Sequence, residues 1–318
     1  MEIGIAAEFK CVIVGSDGEV RYDTGYTKNM ILNNGLDFFG GDKGTSIFAR
    51  CLVGAGGSQP VATQVSLDSV VASTDPYSSP DTRKWDYNGS DPYYATNIVR
   101  VYSFDGMGAA NIAELGLASQ YTSDSDYFLC TRALIKDHLG APTTLSIRAD
   151  ETLRVYYKVW QVFSVAETSH AISLLDGVGG AEPYTAKAKL SSVGSIGYVN
   201  SKLGTPYDIG KSGSSRAGKL YPGELGAITG IPAGSSLGWL ASVESEPYVT
   251  GTYKRRGTYH YTLTGVIGQV RSMLAETTMG DWQIRYGATT GDAAINKTDK
   301  ETLAIPFELS WARYEGAL

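Results

Sequence analysis

Glu151-Thr152-Leu153-Arg154-Val155-Tyr156-Tyr157-Lys158-Val159 and Glu301-Thr302-Leu303-Ala304-Ile305-Pro306-Phe307-Glu308-Leu309 can be laid on one another, 150 residues apart. Apolar side chains occupy every second position in each, which is the signature of a strand with one face on a core. The same pattern closing two stretches of similar length points to an internal repeat. The chain therefore reads as mainly β, with two tandem β-sandwich-like (jelly-roll-like) domains over 1–163 and 164–318, each ending on a long strand. Single cores tend to split beyond about 250–300 residues, so a chain of 318 suits this division. Pro306 cannot donate to a ladder, which places it at an edge or a bulge.

Outward from these strands the alternation continues. Residues 9–24 read as a hairpin, with Phe9, Cys11 and Ile13 alternating, a turn at Ser16-Asp17-Gly18, and Val20 and Tyr22 returning. Residues 28–39 have near-helical spacing of Met30, Ile31, Asn34 and Phe38, and predict a short helix in the N-terminal region, ended by Gly40-Gly41. Residues 47–53 predict a strand. Residues 72–95, rich in Ser, Asp, Pro, Tyr and Gly, read as a long exposed loop. Ile98, Arg100, Tyr102 and Phe104 form one strand face, and Val99, Val101 and Ser103 the other. Residues 112–118 are open between helix and strand, because Ala, Glu and Leu favour helix. Strands are predicted over 127–135 and 145–163. From 167 to 235 Gly, Ser and Ala dominate, with a short strand candidate at 196–199. Lys187, Lys189, Lys202, Lys211, Arg216 and Lys219 make this stretch locally basic and read as a solvated face, with a phosphate or glycan contact as the other reading. Strands return at 253–270, 282–286 and 303–311.

Composition narrows the function classes. Charged residues make up 19% against a usual value of roughly 25%, and 42% are hydrophobic, so the chain can build real cores. Net charge is −6, which gives no sequence-wide electrostatic basis for binding nucleic acid. Tyr outnumbers Phe by 21 to 8, a choice that suits strand faces and wet interfaces, where a ring packs and a hydroxyl is hydrogen-bonded. Cys11, Cys51 and Cys130 are far apart and show neither zinc nor CxxC spacing, which suggests folding in a reducing cytosol. The first ten residues lack the features of a signal peptide, and no run of 18 apolar residues predicts membrane insertion.

Several segments then resemble one family. Thr27-Lys28-Asn29-Met30-Ile31-Leu32-Asn33-Asn34-Gly35-Leu36-Asp37 resembles an N-x-I-x-N-x-G-L-D segment of tailed-bacteriophage tail and fibre-associated proteins. It precedes Val53-Gly54-Ala55-Gly56, similar to that family's V-G-x-G element. Asn111-Ile112-Ala113-Glu114-Leu115-Gly116 is similar to N-I-x-E-x-G, and Phe128-Leu129-Cys130-Thr131-Arg132-Ala133-Leu134-Ile135 to L-F-S-R-A-L-I. Ala149-Asp150-Glu151-Thr152-Leu153-Arg154-Val155 resembles A-D-E-x-L-x-V. Asn296-Lys297-Thr298 and Leu309-Ser310-Trp311-Ala312-Arg313 resemble a P-K-T … L-S-W-x-R ending, with Asn296 in place of Pro. The resemblance implies a virion structural component of the tail fibre, neck-collar or baseplate, without enzymatic activity. It also implies that 112–117 is extended.

A search for chemistry finds no motif. His138, His170 and His260 show no paired metal spacing, and no G-x-S-x-G elbow occurs. The Gly54-to-Gly57 run and the Gly210–Gly213 pair lack a phosphate-loop ending. Asp124 with Asp126, and Asp81 with Asp86 and Asp91, suit polar loops, since turns select Asp; calcium or glycan chemistry is the other reading. No catalytic, metal or cofactor residue is expected. Expected partners are further copies of the chain and other virion proteins; Arg132 and Arg313 could each pair with a carboxylate across a strand or between subunits, with surface exposure as the default reading. The alternatives are a host-surface carbohydrate-binding module, a head decoration protein, and an enzyme such as a depolymerase. For the glycan reading the candidate contacts are Tyr77, Trp85, Tyr87, Tyr93 and Tyr94, aromatics able to stack on sugars.

Overall fold

The structure is a computed structural model that describes residues 2–41, 44–78, 93–123, 125–175, 179–191, 206–209, 218–228, 230–239, 242–278 and 280–317. In chain order it runs β1 (Glu2–Val14), β2 (Val20–Asp23), β3 (Thr27–Ile31), α1 (Asn33–Gly40), β4 (Arg50–Gly54), β5 (Val70–Thr74), β6 (Pro76–Ser78) and β7 (Tyr93–Phe104). Next come β8 (Ala110–Ile112), β9 (Glu114–Gln120), β10 (Tyr127–Leu129), β11 (Thr131–Leu134), β12 (Leu145–Ile147) and β13 (Thr152–Ser164). Then follow β14 (Thr168–Leu175), β15 (Ala181–Leu190), β16 (Gly218–Tyr221), β17 (Gly238–Trp239), β18 (Ser242–Ser245) and β19 (Lys254–Tyr261). The last five are β20 (Gly268–Val270), β21 (Ser272–Thr277), β22 (Gly280–Ala288), β23 (Ile295–Lys297) and β24 (Leu303–Arg313). The fold is mainly β, and α1 is the one helix among the described residues.

The frame of the first half is three long strands. β13 lies between β1 and β7, antiparallel to both, with Cys11 opposite Val155 and Val155 opposite Tyr102. Alternation puts Ile3, Ile5, Ala7, Phe9, Cys11 and Ile13 on the core side of β1, each almost fully buried. Leu153, Val155, Tyr157 and Val159 do the same on β13. Core tyrosines use their hydroxyls internally: Tyr157 meets Thr131 Oγ1 at 2.6 Å, Tyr102 donates to the Phe48 carbonyl at 2.8 Å, and Tyr259 to the Ile209 carbonyl at 3.1 Å. These three tyrosines thus serve as core packing with a satisfied polar tip.

The two halves repeat the same ladders. One set of neighbours reads β1-β3-β11-β9-β4-β5 and the other β14-β15-β22-β21-β16-β17. The registers coincide residue for residue. Ala7 opposite Asn29 corresponds to Thr168 opposite Ala188, Gly54 opposite Glu114 to Tyr221 opposite Ser272, and Leu134 opposite Glu114 to Arg285 opposite Ser272. Ile112 opposite Leu145 corresponds to Val270 opposite Ile295, and Leu153 opposite Phe104 to Leu303 opposite Tyr261. Irregular backbone bonds repeat as well: Ala113 N–H to Gly54 O matches Arg271 N–H to Tyr221 O, and Leu32 N–H to Cys130 O matches Ser191 N–H to Asp281 O. The halves are also joined. β24 runs parallel to β1, from Glu2 opposite Ser310 to Ile5 opposite Arg313. Pro306 has Thr258 opposite it on β19 and lies before β1 begins along β24, so its missing N–H sits where the strand has one ladder neighbour.

Several expectations change. Residues 27–31 are strand, and the helix begins at Asn33, because Ile31 and Met30 are held in the ladder opposite Thr131 and Arg132. Met30 and Ile31 fit a helical period by chance of spacing; the ladder outweighs that local preference. The strand expected over 47–53 starts at Arg50, after a turn holding Ile47 and Phe48. Part of the expected loop over 72–95 is strand: β5, β6 and the first residues of β7. Residues 112–118 are extended, in β8 and β9. The Gly-, Ser- and Ala-rich stretch holds β14 to β16; on β15 Lys187 and Lys189 alternate with buried Ala186, Ala188 and Leu190. The strand candidate at 196–199 and Lys202, Lys211 and Arg216 lie outside the described residues. No helix of the described residues is long and apolar enough to cross a membrane.

Candidate functional site

The most organised polar cluster in the described chain sits under the loop between β4 and β5. Arg132, on β11, and Glu114, on β9, come from neighbouring strands and are both fully buried. The Arg132 guanidinium donates through Nε to Glu114 Oε2 at 2.9 Å, and its Nη2 donates to Asp68 Oδ2 at 2.7 Å and to Ser58 Oγ at 3.2 Å. Glu114 also accepts three backbone N–H groups, from Gly56 at 3.1 Å, Ser69 at 2.9 Å and Asp68 at 3.2 Å. A buried carboxylate in this setting does two jobs: it neutralises the guanidinium and terminates the backbone of a loop. The glycines are required by that approach. A Cβ on Gly56 would lie 2.3 Å from Glu114 Oε1, and one on Gly54 2.5 Å from the Ser69 carbonyl.

At the positions of Arg132 and Glu114 the second half carries Gln283 and Ser272, both buried. Gln283 accepts from Gly226 N–H at 2.7 Å and donates to the Ala227 carbonyl at 2.8 Å, and Ser272 donates to the Gly223 carbonyl at 2.6 Å. A neutral pair thus holds the loop after β16 as the ionic pair holds the loop after β4. In both halves the buried pair at this place holds the loop that follows the strand.

Asp68 is the exposed rim of the clamp. Hydrogen bonds from the Ser58 hydroxyl and backbone, with the Arg132 charge, hold its carboxyl below the usual carboxylate range. A depressed folded-state value contributes stability that is present above the ordinary carboxylate pKa and lost as pH falls through the folded one. The thermal midpoint of Asp68→Asn should therefore lie below that of the wild type at neutral pH, and the gap should narrow in acid. A gap independent of pH, measured by circular dichroism melts across that range, would contradict this role for Asp68.

A second meeting point joins the chain ends. Trp311 Nε1 donates to the Leu36 carbonyl at 2.8 Å, and Arg313 donates to the Ile31 carbonyl and to Asn33 Oδ1. Asp37 accepts from the Tyr248 hydroxyl at 2.6 Å and from Gly251 N–H at 2.7 Å. Surface exposure is the default expectation for both arginines; Arg132 is instead fully buried against the Glu114 carboxylate, and Arg313 is half-buried with a carbonyl and an amide oxygen as partners.

The candidate aromatic contacts are not gathered into one platform by the described residues. Tyr93 and Tyr94 open β7 and are half-buried; the Tyr93 ring meets Tyr314 edge-on at 5.8 Å, and Tyr94 packs on the main core. Tyr77 lies in β6, while Trp85 and Tyr87 fall outside the described residues, as do Asp81, Asp86, Asp91 and Asp124. His138 and His170 are exposed, and His260 Nε2 is 3.4 Å from Glu244. Among the described residues no three His, Cys, Asp or Glu side chains are grouped to hold a metal ion. All three cysteines are free and buried, with burial pushing the Cys130 thiol up to about 12. A cleft of about 400 Å³ on the second half is lined by Thr185, Lys187, Arg285 and Asp292, but its charges pair internally, Arg285 bridging Glu224 and Asp292.

Comparison with family models, with curated proteins and with solved structures gives no match.

Proposed function

We propose that the chain is a structural component of a tailed-phage particle, associated with the tail, collar or baseplate, acting by self-association and attachment to other virion proteins. The observation that carries this reading is where the resembling residues sit. Gly54, Gly56, Glu114 and Arg132, from three separate motifs, form one hydrogen-bonded clamp. Asn33 and Leu36 of the first motif bond to Arg313 and Trp311 of the last. Motif residues that touch one another across the chain are what a shared fold requires, and chance similarity gives no reason for them to meet.

The repeated ladders support two tandem units, 1–163 and 164–318, each a jelly-roll-like sandwich, linked by β1 and β24. Buried ion pairs and neutral clamps serve shape, and an assembly subunit needs shape more than a reactive group. Mass spectrometry of gradient-purified particles from the phage that encodes this chain should detect it in stoichiometric amount with tail proteins. Its absence there, with the chain in the free lysate fraction, would count against the proposal. Host-surface glycan binding through Tyr77, Trp85, Tyr87, Tyr93 and Tyr94 remains the second reading. Loss of cell adsorption in Trp85→Ala would favour it, and unchanged adsorption would remove it.

A further inference from the structure

Among the described residues the repeat leaves the edge of β14 open where its counterpart in the first half is covered. β14 occupies in the second half the place of β1 in the first: His170 corresponds to Phe9, Ile172 to Cys11 and Leu174 to Ile13, from the shared register on β15 and β3. The outer edge of β1 carries β13, paired from Ile3 opposite Phe163 to Val14 opposite Thr152. Among the described residues the outer edge of β14 carries no strand, and β15 is its one ladder neighbour. The consequence is visible in burial. Phe9, Cys11 and Ile13 are 1%, 0% and 6% exposed, whereas His170 is exposed and Ile172 and Leu174 are only half-buried. Leu175, at the end of the strand, is 79% exposed.

Natural edge strands are usually kept short, charged or interrupted by proline. Several other edge strands among the described residues follow that rule. β6 has three residues and begins with Pro76, β17 has two, and β18 has four with Glu244 among them. β5 is uncharged but five residues long, ends beside Asp75 in its ion pair with Arg50, and has as its counterpart β17, which is also terminal. β14 departs from the rule. Its sequence Thr168-Ser169-His170-Ala171-Ile172-Ser173-Leu174-Leu175 holds eight residues, no carboxylate, no lysine, no arginine and no proline.

We infer that β14 is a self-association edge, pairing antiparallel with β14 of a second copy of this chain about a two-fold axis. A second copy is the occupant the residues favour. An uncharged strand meets its own copy without placing like charges opposite one another, and a two-fold joint lets each edge satisfy the other's free N–H and C=O groups. The added strand would cover Ile172 and Leu174 on the core side, as β13 covers Cys11 and Ile13. The inference rests on the assembly reading and specifies its surface.

The test is sedimentation velocity of the full chain at tens of micromolar, beside the double variant Ala171→Lys/Ser173→Lys and the control Val70→Lys. Ala171 and Ser173 are exposed on the face of β14 turned from the core, so the lysines should be tolerated by the fold, which circular dichroism checks. The wild type and the β5 control should sediment at twice the monomer mass, and the double variant at the monomer mass. Hydrogen exchange should show the 168–175 amides protected in the wild type and faster in the double variant. A monomeric wild type overturns the inference, as does a dimer that the two lysines leave intact. A monomer that still co-purifies with virion proteins overturns the strand pairing alone; a β14-dependent dimer that attaches to no virion protein counts against the assembly reading alone.

Discussion

Arg132→Met is expected to lower folding stability by about 3–5 kcal/mol, the usual consequence of removing one partner of a buried ion pair. Arg132 and Glu114 are both fully buried, so the substitution leaves a carboxylate in the core whose remaining partners are three backbone N–H groups. Those N–H groups belong to the two ends of the loop between β4 and β5, so the damage should spread to that loop. Adding Glu114→Gln should recover part of the loss, because a neutral amide still accepts from the loop and needs no counter-charge. Urea denaturation of the three proteins separates the outcomes. Equal stability of Arg132→Met and wild type would mean that the pair does not hold the loop. A double variant worse than the single would mean that the uncompensated charge is not the source of the cost.

Gly35→Ala is the second large effect, and here local preference and packing have opposite signs. Within a helix Ala is favoured over Gly by about 1 kcal/mol, so an isolated α1 should gain. In the fold a Cβ at Gly35 would lie 2.1 Å from the Cys130 carbonyl oxygen, which is backbone and already accepts the Leu32 N–H. Overpacking of this kind costs about 1–3 kcal/mol or more, and a carbonyl held between two ladders has little room to retreat. The net result should be a loss, read as a lower denaturation midpoint. A stabilised Gly35→Ala would show that α1 does not sit against β10 and β11 as described.

What could be read from the sequence was what alternation reports. The 151–159 and 301–309 strands were legible because buried side chains occupy every second position from Leu153 and from Leu303. The repeat was visible only there. Equivalent residues stand 150 apart at Leu153 and Leu303 but 161 apart at Ala7 and Thr168, so no single offset aligns both ends. β3 was hidden because Met30 and Ile31 continue a helical spacing into α1, and only the partner strand decides between them. β14 and β15 were hidden by small residues, whose strand preference is set by neighbours rather than by their own side chains. The clamp left one trace: Glu114 and Arg132 are each a lone charge within an apolar strand. That pattern marks a buried charge needing a partner, but the pairing depends on a cross-strand register that one sequence does not display.

In the proposed function, two repeated β units joined through β1 and β24 form a subunit completed by its neighbours in a particle. A cryo-EM map of the intact phage particle is the decisive test. The account predicts density for both halves of this chain in symmetric copies, with the β14 edge against a strand of an adjacent copy. A complete particle without this chain, or one holding it as isolated copies with that edge open to solvent, would contradict the account.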